Sequence, residues 1–130
     1  MSKFALAIFL VAALTPGVAQ ACSNLSLGNV GVKNMTTDGN LNYYHINGVV
    51  TNNGANQLSS TLQAVDVYKG PVKKDSKSIP PLKAGQSFTF TYVSDRSSDA
   101  GTGTSHLRFV LDANNGSMCS ASTSPATVTF

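Results

Sequence analysis

Two cysteines, two histidines and six aspartates are the side chains of this chain best suited to covalent bonding, metal ligation or proton transfer; glutamate is absent. Cys22 ends the run Val-Ala-Gln-Ala-Cys, and two uses compete for it. One is a lipid anchor, whose signal places an aliphatic residue three before the cysteine and small residues at the next two positions. Ala19, Gln20 and Ala21 stand there, and Gln20 fits poorly. The same Ala19-Gln20-Ala21 has the small-x-small pattern of an ordinary signal peptidase site. Cleavage after Ala21 leaves an even pair of cysteines in an exported chain, so Cys22 is expected to bond to Cys119. Lipidation of Cys22 is the alternative.

The remaining reactive residues form no recognisable constellation. His45 and His106 fall on the outward phase of two alternating segments, and no third ligand stands at zinc spacing, so both read as exposed strand histidines. Asp95, Asp99, Asp112 and Asn114 are of the types calcium uses. The first two are expected at one end of the molecule and the others at the opposite end, with Asp95 and Asp99 offsetting Lys73 and Lys74. No Gly-x-Ser-x-Gly elbow occurs, and six aspartates give thin material for a glycosidase carboxylate pair. The chain reads as a non-enzyme without cofactor or metal. Asn24, Asn34 and Asn115 head N-x-[ST] sequons, of consequence only in a glycosylating host.

Residues 1–21 supply the export route. Lys3 is a short basic start, Phe4 to Leu14 is apolar, and Thr15-Pro16-Gly17 breaks any helix. That run is shorter than the roughly 20 residues a membrane-spanning helix takes. Residues 22–130 then form a single domain of the mature protein, placed in the periplasm or outside the cell, without a transmembrane segment. The formal charge of +3 is too mild for a nucleic-acid partner, which demands a dense basic face. Lys69, Lys73, Lys74 and Lys77 read as a solvated turn.

Period-two alternation between turn clusters predicts an all-β chain: an immunoglobulin-like, two-sheet antiparallel sandwich of about seven strands. The expected strands run over Leu25–Lys33, Leu41–Thr51, Thr61–Lys69, Ser87–Val93, Ser105–Asp112 and Ala126–Phe130, with a weak edge strand near Lys77–Ile79. The phase slips near Gly28, which predicts a bulge. "TTDGN", Thr36 to Asn40, reads as a tight turn. Leu62, Val65 and Val67 are expected to point inward, and Asp66 and Tyr68 outward. If strands alternate up and down, Cys22, "NNGANQ", "PPLKAG" and Cys119 share one pole, and the lysine turn, "TTDGN" and Asp95 to Thr104 share the other. Outward Tyr43, His45 and Tyr68, with Asn53, Lys73 and Lys74 in loops, make the candidate binding surface.

The order of turn signals in the middle of the chain resembles the bacterial cell-adhesion-related domain, CARDB. Asn52 or Asn53 precedes Gly54 after one strand; Tyr68 and Gly70 close the next. Leu82, Gly85 and Ser87 turn the chain into a third, and Val110 and Asp112 end a fourth, over about residues 25–115. The glutamate that commonly follows the aspartate in that family is missing, and Cys119 stands in that loop. The resemblance implies an extracellular, non-catalytic module, usually a repeat within larger adhesins or enzymes. The leading expectation is a secreted or periplasmic module that binds a protein or envelope component through pole loops or an open sheet edge. A structural subunit or assembly factor of a surface fibre, using strand addition through "TVTF", is the rival; a metal-binding or enzymatic domain is the remote one.

Overall fold

Seven strands follow the alternation: β1 Leu25–Asp38, β2 Leu41–Asn52, β3 Gln63–Lys69, β4 Val72–Ile79, β5 Ser87–Ser97, β6 His106–Ala113 and β7 Ala126–Thr129. The computed structural model describes residues 22–99, 103–113 and 125–130. Residues 1–21, where a signal is expected, and Asn114, Asn115 and Cys119 lie outside the described residues. One antiparallel sheet has the order β1-β2-β5 and the other β4-β3-β6-β7. Their facing sides bury Ile46, Val50 and Phe90 from the first and Val65, Val67, Leu107, Phe109 and Val128 from the second. The sandwich expected from the sequence is therefore present, with β3, β5, β6 and β7 in their expected inward phases.

Phe109 sits at the centre, its ring centroid 5.9 Å from Phe90 and 6.2 Å from Tyr92. Gly48 on β2 makes the room: a Cβ there would lie 2.3 Å from the Phe90 ring. Two register shifts interrupt β1, between Gly28 and Gly31 and between Val32 and Asn34, and Asn29 takes φ 53°. The bulge expected near Gly28 is there. β1 nevertheless continues past Lys33 to Asp38, because the second shift restores pairing with β2 up to Asp38↔Leu41. The turn expected over Thr36 to Asn40 shrinks to Gly39 and Asn40.

Five expectations need correction. Leu62 does not point inward; it is 76% exposed. Gln63 takes the buried position, since its amide exchanges two 2.8 Å hydrogen bonds with Gln57 and donates to the Pro80 carbonyl. A buried amide with partners is tolerated where a lone one is not. Asp66 is not an open outward residue, being only 4% exposed. It lies directly across from Ser76 on β4, whose hydroxyl donates to it at 2.6 Å. Lys73 covers it too, at 3.6 Å, and Lys77 pairs with Asp75. Lys73 therefore meets Asp66 of its own sheet; Asp95 belongs to β5 of the other. β4 is a full eight-residue strand rather than a weak fragment, and β5 runs on to Ser97 where a loop was expected.

Pole assignments hold for the described residues. At the lower pole lie the start of β1, the end of β2, the segments 53–62 and 80–86, and the end of β6. The turns at Gly39 and Gly70 mark the upper pole. At its sides the sandwich has two seams, where β1 approaches β7 and β4 approaches β5. Near the first, Phe130 stacks on Tyr44 at 4.3 Å, exchanges backbone hydrogen bonds with Ser105, and accepts a bond from Arg96 at 2.8 Å. "TVTF" thus pairs with β6 of its own chain, Val128 opposite Leu107.

Candidate functional site

The six candidate surface residues do not converge. Tyr43 and His45 lie two apart on β2, in the three-stranded sheet. His45 Nε2 is 3.1 Å from the Thr36 hydroxyl of β1. Tyr68 lies in the four-stranded sheet, with the Arg108 guanidinium 4.7 Å from its ring centroid and Lys73 opposite it in register. Lys74 is exposed further along β4. Asn53 is at the lower pole, where its amide donates to Ser26 Oγ at 3.3 Å. His106 bonds Thr129 and Thr104 on a different sheet from His45. Among the described residues no three of His, Cys, Asp and Glu come close enough to hold a metal ion.

Asn52 is the residue the sequence undervalued. Its backbone N–H donates to Gln86, its carbonyl accepts from Gly85 at 2.7 Å, and its side chain is fully buried. Oδ1 accepts from the N–H groups of Asn24 and Gly54, and Nδ2 donates to the carbonyls of Ala55 and Leu82. That uses two donors and two lone pairs, the full capacity of an amide. Gly54 completes the knot, since a Cβ there would lie 2.6 Å from both Asn24 N and the Cys22 carbonyl. The Asn-x-Gly signal is therefore Asn52 with Gly54, and it lashes residues 22–24 to two loops. Arg96 was also missed; it holds the carbonyls of Phe130 and Gly103, a long-range role that neighbouring letters do not announce.

Two surface depressions accompany these features. One, of about 330 Å³, opens along the β4/β5 seam, lined by Ser76, Lys77 and Ser78 on one side and Phe88, Thr89, Phe90 and Thr91 on the other. A second, of about 240 Å³, lies between Leu62, Gln63, Ala64, Ser78 and Asp112. Tyr92 lies further along β5. Burial first, then the carboxylates of Asp75 and Asp95, raise its phenol above the ordinary value of 10.0. The first has aromatic side chains at its floor, hydroxyls on its rim and one lysine, and the second sets Leu62 beside Gln63, Ser78 and Asp112.

No family model matches the sequence, and no curated protein matches it either. Among solved structures, the chain is similar to the CARDB domain of a Pyrococcus furiosus protein, crystallised in complex with di-metal ions. The TM-score is 0.56 at 13% identity, over 84% of this chain and 92% of that one. A Bifidobacterium adolescentis GH3 beta-glucosidase gives a TM-score of 0.40 at 19% identity over 83% of this chain and 17% of the enzyme, too slight a likeness to carry an argument. The resemblance read from turn signals thus holds at the level of the fold: this chain is an all-β sandwich whose fold is similar to that of a CARDB domain.

Proposed function

We propose that residues 22–130 act, after export, as a non-catalytic immunoglobulin-like module that binds a protein or cell-envelope component, in the manner of adhesion-related β domains. The observation that supports it most is the fold likeness to a CARDB domain over most of both chains. Outer faces carrying Tyr43, His45 and Tyr68, and a seam floored by Phe88 and Phe90, offer amphipathic area of the sort that anchors partners. The test is retention: the mature domain, immobilised, is offered envelope extract of its source organism. A partner retained through 0.5 M salt and released by excess free domain is expected; no retained protein or glycan overturns the reading.

Within this proposal Cys22 bonds to Cys119. The segment carrying Cys119 leaves β6 at the lower pole, where Ala113 pairs with Gln63 and the Cys22 carbonyl accepts from Ala55. No cysteine among the described residues is free. Intact mass of the secreted protein decides it. A mature chain two hydrogens light supports the bond, and a diacylglycerol increment on Cys22 overturns it. Should the neighbour's di-metal site have a counterpart here, metal analysis of the purified protein will show it.

A further inference from the structure

The four outer edges of the two sheets are not equally protected. Unpaired strand edges invite foreign strands, and bulges, charges and shortness are the usual defences. β1 carries two register shifts, β7 has four residues, and β4 bears Lys73, Lys74 and Lys77. β5 has no such defence between Ser87 and Ser94. That stretch alternates Phe88, Phe90 and Tyr92 with Thr89, Thr91 and Val93, holds no charge, and among the described residues pairs only with β2. Beside this edge lies the β4/β5 groove, with the half-buried Phe88 facing it, the buried Phe90 beneath its floor and Lys77 on its rim. We propose that this seam is a docking groove in which an extended, acidic segment of a partner protein adds to the free edge of β5. The assignment rests on the binding-module reading and names the surface and partner chemistry for it.

Charge selects the occupant. An added strand would seat short apolar side chains on the half-buried Phe88 and over the groove floor above Phe90, and carry the next inward position over the edge of β4. Three lysines against the single Asp75 leave β4 net positive, and Lys77 makes only a long 3.8 Å contact with Asp75. A carboxylate on the incoming strand gains from Lys77 and from the field of its neighbours. A second copy of this chain fits less well. Antiparallel pairing of two β5 edges about a two-fold sets the two β4 strands side by side, lysines facing lysines. Main-chain bonds give such a complex its affinity, and alternate side chains its specificity.

The experiment uses the ¹⁵N-labelled mature domain at low salt. Its probes are the peptide Thr-Val-Thr-Val-Thr-Asp-Thr, whose aspartate shares the face of its valines, and its counterpart with lysine in place of aspartate. The aspartate peptide is expected to shift amides of Phe88 to Val93 and Ser76 to Ser78, binding at least fivefold more tightly than the lysine peptide. In a Lys74→Glu/Lys77→Glu variant, confirmed as folded by its amide spectrum, the preference is expected to reverse. Absence of shifts along β5, or equal binding of both peptides, overturns the proposal. So does a concentration-dependent dimer whose interface is β5. In the retention assay, a partner held equally by wild type and by Thr89→Asp/Thr91→Asp overturns the groove while leaving the module reading intact.

Discussion

The two poles of the sandwich use the same alphabet for opposite purposes. Both are written in Asn, Gly, Ser, Thr and Asp. At the upper pole those letters make exposed two-residue turns: Gly39 and Asn40 join β1 to β2, and Gly70 and Pro71 join β3 to β4. At the lower pole they fold inward. Asn52 is fully buried, Gln63 nearly so, and the segments around Cys22, Gly54, Leu82 and Gly85 are tied through them. An upper turn needs only a backbone conformation that fits its neighbours. The lower knot needs particular atoms at particular distances, because buried amides without partners cost about 1–3 kcal/mol each. The contrast teaches that a turn signal specifies where a chain bends but not whether the bend carries the fold.

Glycines make the sharpest break in that comparison. Gly54 has no positive φ, so it is required for space alone, and the atoms a Cβ would strike belong to the backbone of Cys22 to Asn24. Backbone cannot swing aside as a side-chain tip can. Gly54→Ala is expected to cost about 3 kcal/mol, near the most a single overpacking substitution does, and to detach residues 22–24 from the 53–62 segment. Urea unfolding measures the loss, and amide exchange at Asn24 and Ala55 locates it. A variant within about 0.5 kcal/mol of the parent would show that the lower pole is not a knot.

Asn52→Ala comes next. It leaves two N–H groups and two carbonyls at a buried site without the side chain that joins them, for an expected cost of about 3 kcal/mol after relaxation and water entry. Asn52→Asp is the informative companion. It keeps the acceptor for Asn24 and Gly54 but turns a carboxylate oxygen toward the carbonyls of Ala55 and Leu82. Folding then favours the neutral acid, so the folded state binds the extra proton and stability should fall as pH rises from about 4 toward 7. Chemical denaturation across that window checks the sign; a flat profile would mean that the amide donors matter little.

How much of this was legible in the sequence follows from the same contrast. Period-two patterns belong to single strands, so Phe88, Phe90 and Tyr92, or Leu107 and Phe109, could be assigned inward from their own neighbours. The slip at Gly28 was visible as a phase error within one segment. Asp66 was not visible, because its burial depends on Ser76 and Lys73, and β4 looked like a solvated lysine turn until β3 paired with it. Leu62 was misplaced because it looks more suited to the core than Gln63, whose amide is acceptable there only because Gln57 and Pro80 meet it. The candidate surface was drawn from outward phases alone, and phase cannot tell which of two sheets a residue faces away from. Tyr43 and Tyr68 accordingly end on different sheets. Asn-x-Gly was read as punctuation when its first residue is the centre of the lower pole.

The upper pole supplies a smaller effect. Gly39 stands at φ 63° with nothing within 4 Å of an added Cβ, so its requirement is conformational. Gly39→Ala is expected to cost about 1 kcal/mol, and Gly39→Asn only a few tenths, because asparagine tolerates the left-handed region. No side chain can satisfy Gly54 in that way. Thermal midpoints of the four variants, alanine and asparagine at each position, sharpen the difference between the poles. If asparagine rescues both, the steric account of Gly54 fails.

Smallest of all is an electrostatic effect in the upper half of the β4/β5 seam. Burial, with Asp75 and Asp95 nearby, raises the Tyr92 phenol in the folded protein, so the folded state holds its proton to higher pH than the unfolded chain does. The contribution is complete below about pH 10, the ordinary tyrosine value, and is lost as pH rises through the raised folded value. Tyr92→Phe is therefore expected to lower the steepness with which the melting temperature falls above pH 10, leaving its neutral-pH behaviour close to that of the parent. Because Asp75 is one of the causes and sits on the edge strand, Asp75→Asn should remove part of the same alkaline slope while Asp112→Asn, at the lower pole, should not. An equal effect from Asp112 would mean that the slope reports net charge rather than the neighbourhood of Tyr92.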